Sequence, residues 1–315
     1  MQLSDRIGRR MKLHDLHVLM AVAQAGSMSK AAALLHTTQP AISRSIAELE
    51  SVFGVRLLER NRQGVEPTAY GRALLDCGIA VFDDLRQGVR KIEFLADPST
   101  GEVRIGSHHF LAASFVPAVI DRLSRRFPGI VCHVIAGDAD ALHRALDDRN
   151  VDFLIAWKAD YLADERLAFE HLYDDRHIVA AGAKNRWTRR RSVSLVDLMD
   201  EPWTLAPPNS VLGRIAAAAF RASGFDYPRA TVFSVPTDAR LGLLATGRYL
   251  TIVSASALTL PVRRADIKAL PIELPIASMP IGIVTVRNRI LSPAAELFVE
   301  STRETARRVA QRQRP

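Results

Sequence analysis

Residues Leu19 to Tyr70 read LMAVAQAGSMSKAAALLHTTQPAISRSIAELESVFGVRLLERNRQGVEPTAY. Just before and within this stretch, Leu16, Leu19, Met20 and Ala23 recur at spacings of three and four, which predicts a one-faced helix over Leu13–Ala25. Gly26 is placed to end it, because glycine enters the left-handed conformation at little steric cost. Ser29 is a suitable N-cap for a second helix, Lys30–His36, whose Ala31, Ala32 and Ala33 let a neighbour approach closely. Thr37 and Thr38 form a turn. Thr38 then caps a third helix that opens with Gln39 and Pro40, where proline is tolerated because first-turn N–H groups lack intrahelical partners.

The third helix is expected to reach Phe53, with Ile42, Ile46, Leu49 and Phe53 on one face. Gln39, Ala41, Ser43, Arg44 and Ser45 crowd its other, N-terminal half. Gln pairs with adenine edges, Arg with guanine edges, and Ala or Thr with a thymine methyl, and recognition helices read bases with their N-terminal residues. Taken alone, the same polar set is equally a solvated helix face. The adjoining residues favour the reading face: Arg56, Arg60 and Arg62 bracket the turn Asn61-Arg62-Gln63-Gly64, a hairpin wing whose arginines meet phosphates or the minor groove. The first 72 residues carry ten Lys and Arg against six Asp and Glu. The order helix, turn, helix, wing is a winged helix-turn-helix. Double-stranded DNA is its expected partner, met through Ser29, Thr37, Thr38, Gln39, Pro40, Ala41, Ser43, Arg44, Arg60 and Arg62.

The run AVAQAGSMSKAAALLHTTQPAISRSIAELESVFGVRLLER resembles the head of the LysR-type transcriptional regulators. The shared features are the alanine pair of the second helix, Gln39-Pro40-Ala41-Ile42-Ser43, Leu49-Glu50 and Gly54-Val55-Arg56-Leu57-Leu58-Glu59-Arg60. The family's Leu-Thr-x-x-Gly step into the next helix appears as Pro67-Thr68-Ala69-Tyr70-Gly71, with Pro in place of Leu. The family pattern begins near Met11, so Met1–Arg10 is either an extension or a misplaced start.

Thr68 is expected to cap a long helix over Ala69–Ala96. Leu75, Gly78, Phe82, Leu85, Val89, Ile92 and Ala96 alternate by three and four, the seam of a coiled coil. Such a helix is about 40 Å long, too long to leave an apolar stripe in water. Packing on its own C-terminal domain is the alternative to pairing with a second copy. Pairing sets two heads over half-sites about 34–36 Å apart.

Asp97-Pro98-Ser99-Thr100-Gly101 is a turn-rich hinge, after which strands and helices alternate. Strands are expected at Val103–Gly106, Val131–Ala136, Val151–Trp157, Arg176–Ala181, Trp203–Leu205, Thr231–Val235, Tyr249–Val253 and Ile281–Arg287. Helices are expected at Ser114–Phe127, Asp140–Asp148, Ser210–Ser223, Asp238–Thr246 and Pro293–Arg308. Alternation of this kind predicts an α/β architecture with mostly parallel sheets, long enough for two lobes. The boundaries are then 1–68 for the head, 69–97 for the linker helix and 98–315 for the rest. The resemblance implies that the rest is a periplasmic-binding-protein-like effector domain. Its lobe one spans 101–160 and 268–315, and its lobe two spans 161–267.

In open α/β sheets, ligands bind at the carboxyl ends of strands, facing helix N-termini. That places Ser107, His108 and His109 on one side of a cleft and Thr204, Leu205, Pro236 and Thr237 on the other as candidate effector contacts. Paired loop histidines are also common as surface or hydrogen-bonded residues. These loops hold no Arg or Lys, so an anionic ligand would need backbone donors or a more distant cation such as Arg240. The resemblance implies a small-molecule effector, commonly an acid, a dimer assembling to a homotetramer, and RNA polymerase as a further partner.

The net charge of +8 fits nucleic-acid contact without proving it. Cys77 and Cys132 are too few for a stapled secreted fold and fit two inert thiols in a reducing cytoplasm. No apolar run approaches the ~20 residues that span a bilayer, and Lys12, His14, Asp15 and His17 break any signal-peptide core. The Arg303–Pro315 tail is expected to fray. His133, His143, His171 and His177 lack metal-ligand spacing, and there is no HExxH, GxSxG or phosphate loop. No catalytic residue, metal or cofactor is expected. Two other readings stay open: a small-molecule-binding protein whose head makes protein contacts, and an α/β enzyme with a fused regulatory head.

Overall fold

The computed structural model describes residues 11–61, 64–161, 163–229, 232–234, 237–259 and 266–312. The chain divides by its internal contacts into two units, residues 1–86 and 87–315. The element at their boundary is one continuous helix.

In the first unit, α1 (Leu13–Ala25), α2 (Met28–Leu34) and α3 (Gln39–Phe53) enclose a core of Val18, Leu19, Val22, Ala31, Ile42, Ile46 and Leu49. Gly26 ends α1 at φ +63°, its N–H bonding the Val22 carbonyl at 2.9 Å. The second helix starts earlier than a Ser29 cap predicts. Met28 is buried, so the chain turns helical at Met28 with Ser27 in the cap position. Thr38 does cap α3, its hydroxyl accepting from Ala41 N at 3.4 Å.

The wing is an antiparallel hairpin of β1 (Leu58–Asn61) and β2 (Gly64–Pro67), with Glu59 opposite Glu66. Glu50 on α3 anchors its entry, its Oε1 accepting from Leu57 N at 2.8 Å and Leu58 N at 3.3 Å. Val65 N donates to the Gly26 carbonyl at 2.9 Å, tying the hairpin to the end of α1. Thr68 opens the long helix α4 (Ala69–Ala96), accepting from Gly71 N at 3.0 Å and donating to the Arg56 carbonyl at 2.8 Å.

The apolar seam of α4 divides in two. Leu75 packs against the head core, Gly78 lies close to Leu16 and Met20, and the Phe82 ring meets His17 at 5.6 Å. Leu85, Val89, Ile92 and Leu95 are uncovered, Ile92 at 69% and Leu95 at 73% exposed.

The second unit holds two sheets. The larger runs β4 (Gly129–Gly137), β3 (Thr100–His108), β5 (Phe153–Trp157), β12 (Met279–Val286), β6 (Leu167–Asp175). Its β4, β3 and β5 are parallel, whereas β12 is antiparallel to both neighbours. One face packs on α6 (Phe115–Arg126) and α11 (Pro293–Arg312) through Phe115, Val119, Phe153, Ile283 and Phe298. The other packs on α7 (Ala139–Asp147) through Leu142, Leu146, Leu154 and Val284. The smaller sheet orders β10 (Leu250–Ser254), β7 (His177–Gly182) and β11 (Ile267–Ala269), all antiparallel. Beside β10 lies the parallel pair β8 (Thr204–Leu205) and β9 (Val232–Phe233), joined by a Trp203–Leu250 bridge. Two further helices are α8 (Val211–Ala222) and α9 (Thr237–Ala245). Two short helices, α5 (His109–Ala113) and α10 (Ser256–Thr259), complete the unit.

These facts correct several expectations. The sheets are mixed rather than mostly parallel, because β12 returns antiparallel from the smaller sheet. Strand β6 has no counterpart among the expected strands, and it lies in the larger sheet although its residues fall in the range expected for lobe two. Similarly, β11 places Lys268 and Ala269 with the smaller sheet. The C-terminal run does not fray at Arg303: α11 continues to Arg312 because Thr302, Thr305, Ala306 and Val309 are buried along it. No helix among the described residues is long and apolar enough to cross a membrane.

Candidate nucleic-acid interface and ligand cleft

The inward anchors Ile42, Ile46 and Leu49 fix the rotation of α3, and that rotation turns the rest of its first two turns outward. Thr37, Thr38, Gln39, Pro40 and Arg44 are exposed, and Ala41 and Ser43 are half-buried beside them. Ser29 is exposed on α2, where its hydroxyl donates to Gln39 Oε1 at 3.2 Å. That bond orients the Gln39 amide at the helix end that would meet a base edge. Arg44 makes no hydrogen bond or ion pair among the described residues, so its guanidinium is uncommitted. Eight of the ten candidate DNA contacts thus gather on one end of α3 and the facing turn of α2. The Arg60 side chain and Arg62 lie outside the described residues. Sequence reasoning misses Glu50, which sets the hairpin against α3; its only signal there is the Leu49-Glu50 feature.

In the second unit, the candidate effector residues sit at the carboxyl ends of β3, β8 and β9. Ser107 is fully buried and donates to the Ile155 carbonyl at 2.9 Å. His108 is buried and stacks on Trp157 with centroids 5.1 Å apart, its Nε2 lying 3.0 Å from Asp160 Oδ2. His109 is exposed and opens α5. Thr204 and Leu205 are fully buried: Leu205 fills the smaller sheet's core with Trp203, and the Thr204 hydroxyl has no partner among the described residues. Thr237, the first residue of α9, is half-buried and accepts from Arg240 Nη2 at 3.1 Å. Pro236 lies outside the described residues. The helix α5, which His109 opens, lies beside α9, which Thr237 opens, and beside α10.

Burial decides the chemistry of this region. Arg240 is 2% exposed, and its guanidinium is lowered to about 10 by desolvation, so it remains a cation at neutral pH. His177, at the start of β7, is lowered to about 4 by burial and has no partner for either ring nitrogen among the described residues, so it is neutral. Tyr173 is pushed well up by burial and by the Asp175 charge. Cys132 is half-buried and its thiol is raised by desolvation, while Cys77 is exposed. The roles of Trp157, Asp160, Asp175 and Arg240 depend on pairings across the fold that no local motif records.

Comparison with known proteins agrees with both halves of this architecture. The model of the bacterial regulatory helix-turn-helix protein, lysR family, matches residues 13–72, and that of the LysR substrate binding domain matches residues 96–307. The chain is 26% identical over 295 residues to the HTH-type transcriptional regulator GbpR of Azospirillum brasilense, covering 93% of this chain and 86% of that one. It is 27% identical to the transcriptional dual regulator GltC of Bacillus subtilis, over 92% of this chain and 96% of that one. Among solved structures, full-length CbnR complexed with target DNA superposes with a TM-score of 0.61 at 23% identity, covering 94% of this chain and all of that one. A full-length OxyR variant from Pseudomonas aeruginosa gives 0.64 at 21% identity, over 93% and 98% of the two chains. With both of its domains matched in order along nearly the whole chain, this protein belongs to the LysR family and is a DNA-binding transcriptional regulator with an effector-binding domain, not an enzyme.

Proposed function

We propose that two heads of this regulator read a dyad-related promoter site, and that a small molecule held between the lobes of residues 98–315 changes how they do so. The observation that carries the reading is the outward end of α3, where uncommitted Arg44 and the Ser29-oriented Gln39 lie together on a rigid three-helix core. In this reading Arg44 and Gln39 meet base edges, Thr37, Thr38, Pro40, Ala41 and Ser43 shape the contact, and Arg60 and Arg62 hold the backbone. Ser107, His108, His109, Thr204, Leu205, Pro236 and Thr237 form the floor and walls of the effector site. The uncovered half of α4 pairs the subunits, two dimers form the tetramer, and RNA polymerase is met at the promoter in the cytoplasm.

The test is a genome-wide pull-down of DNA bound by the tagged protein, with and without the native growth substrate. Sharp peaks over a few promoters support the reading, and a flat profile under both conditions sinks it. In vitro, Arg44→Ala weakens binding at the cognate site specifically. Arg62→Ala weakens it on most sequences and lowers the salt slope by about one counterion. If both variants bind operator DNA like the parent, the placement of the reading helix is wrong.

A further inference from the structure

Residues 183–192, AKNRWTRRRS, lie outside the head, yet they carry five cations and no acid. They follow β7 as a tight turn built around the 3-10 helix Arg186–Arg189. The turn is firmly held. Asn185 is buried, its Nδ2 donating to the Gly247 carbonyl at 3.1 Å and its Oδ1 accepting from Trp187 N at 3.0 Å. Thr188 donates its hydroxyl to the Asn185 carbonyl at 2.8 Å, and Trp187 packs against the smaller sheet's core. This scaffold presents Lys184, Arg186, Arg189, Arg190 and Arg191, all exposed. Arg248, which follows Gly247, is exposed as well.

Opposing charge only partly answers them. Glu201 pairs with Arg186, and Asp197, itself bonded by the Ser194 N–H and hydroxyl, lies near Arg190. Asp266 is a third acid at this edge, its carbonyl accepting from Ala183 N. Lys184, Arg189, Arg191 and Arg248 make no ion pair or side-chain hydrogen bond among the described residues. Cations crowded on one rigid turn repel one another, and exposed ion pairs return little, so the fold gains nothing from the cluster. Surface composition selects its occupant. A stable protein partner asks for an apolar centre in the contact. None is offered here: Trp187 is half-buried with Arg186 over its ring at 5.2 Å, and the next exposed large apolar side chain along the chain is Val196. A nucleic-acid backbone asks for the opposite surface, polar and strongly positive, with guanidinium forks that match phosphate oxygens. Since the chain is a DNA-binding regulator, the duplex held by its head is present at high local concentration.

We infer that the turn 184–191 is a second, sequence-independent DNA contact, in which Lys184, Arg189, Arg190 and Arg191 grip phosphates of duplex outside the base pairs that the head reads. Its contribution is to affinity and to the length of duplex engaged, not to the choice of sequence.

The experiment compares the full chain with a variant combining Arg189→Gln, Arg190→Gln and Arg191→Gln. A charge-matched control combines Arg221→Gln, Arg307→Gln and Arg308→Gln, three arginines that are also exposed in the second unit. Binding to a random-sequence duplex of about 60 base pairs is titrated against salt, each phosphate contact adding about 0.9 to the slope. The turn variant is expected to lose about two to three from the slope and about tenfold in affinity at low salt, and the control less than about one. Hydrogen exchange of the parent gives a readout that needs no variant: amides in 184–191 become protected when the duplex is added. Equal losses in the two variants overturn the inference, because net charge then explains them. A turn variant that binds like the parent also overturns it, as does exchange at 184–191 that the duplex leaves unchanged, and an acidic protein segment then becomes the occupant to seek. Arg44 and Arg62 are intact in every protein compared, so these failures leave the reading of the head standing; a parent that binds no duplex at all overturns both.

Discussion

The carboxylate of Asp175 accepts two hydrogen bonds from Ser256, one from its N–H at 3.1 Å and one from its hydroxyl at 2.5 Å. Both residues are fully buried. Asp175 ends β6, the last strand of the larger sheet before the chain enters β7, and Ser256 opens α10 just after β10 leaves the smaller sheet. The pair therefore ties the segment that passes from the larger sheet to the smaller to the end of β10. Ser256→Ala removes the hydroxyl bond and is expected to destabilise the protein by about 1–3 kcal/mol, because a buried carboxylate is left short of a donor. Asp175→Ala should cost at least as much. Urea unfolding followed by circular dichroism measures both, and an unchanged midpoint in both variants would show that the clasp holds nothing.

His177 supplies a pH dependence with a definite sign. Burial lowers its folded pKa to about 4 from an ordinary value of 6.5. A depressed pKa means that the folded state resists a proton which the unfolded chain takes up. The stability associated with a neutral His177 is fully present above pH 6.5 and is lost as the pH falls through about 4. Carboxylates titrate in the lower part of the same window, so the comparison with His177→Phe matters. The difference in stability between parent and variant should change between pH 7 and 4 by a few kcal/mol, at about 1.4 kcal/mol per pKa unit. A constant difference across that range would mean that His177 is not buried as a neutral ring.

Gly71 and Gly88 both lie on α4, and they should respond oppositely to alanine. A Cβ at Gly71 would come within 2.0 Å of the Leu57 carbonyl, whereas one at Gly88 meets nothing within 4 Å. Gly71→Ala is expected to destabilise the head by about 1–3 kcal/mol through overpacking. It should weaken DNA binding without touching DNA. Gly88→Ala should stabilise the helix by up to ~1 kcal/mol. Thermal melts and operator titrations of the two variants check this. Equal behaviour would mean that Gly71 is not pressed against the wing's entry strand.

The uncovered stretch of α4 gives a prediction about assembly. Val89 is 54% and Ile92 69% exposed, yet both continue the apolar seam that Leu75 and Gly78 begin inside the head. Charges on such a seam are costly when two helices meet over it and nearly neutral when water covers it. Val89→Glu combined with Ile92→Glu should leave the fold intact and shift sedimentation to the monomer at concentrations where the parent is a dimer. An unshifted boundary would move the subunit contact elsewhere.

Legibility differs sharply along this chain. In the head, each signal acts within a turn or two: Gly26 and Gly54 end their helices in the left-handed region, Thr38 caps α3, and Thr68 caps α4. The observed bounds of α1, α3 and α4 accordingly match those read from the sequence. Ser29 departs from its expected role because the capping preference of a serine is weaker than the pull of Met28 into the core. In the second unit, β6 is invisible in the sequence because it is an edge strand whose Glu170 and His171 face outward, blurring its alternation. The pairing direction of β12 is equally hidden, since an isolated strand carries no sign of which way its neighbours run.

The candidate effector site shows the same division. Backbone position puts Ser107, His108, Thr204 and Thr237 at strand ends and a helix start, and that much comes from local pattern. Whether each side chain is spent or open depends on what the fold brings against it. Ser107 is consumed by the Ile155 carbonyl and His108 Nε2 lies 3.0 Å from Asp160 Oδ2, while the Thr204 hydroxyl and Arg240 Nε have no hydrogen-bond partner among the described residues. The amino-acid sequence by itself determined the winged head, the long helix and the α/β character of the remainder, because caps, turns and periodicity act over a few residues. Only the tertiary structure decided the mixed sheets, the Asp175–Ser256 clasp and the burial of the Arg240 charge. Those rest on desolvation and on partners such as Ser256, 81 residues distant in the chain, and neither is written in any short stretch of sequence.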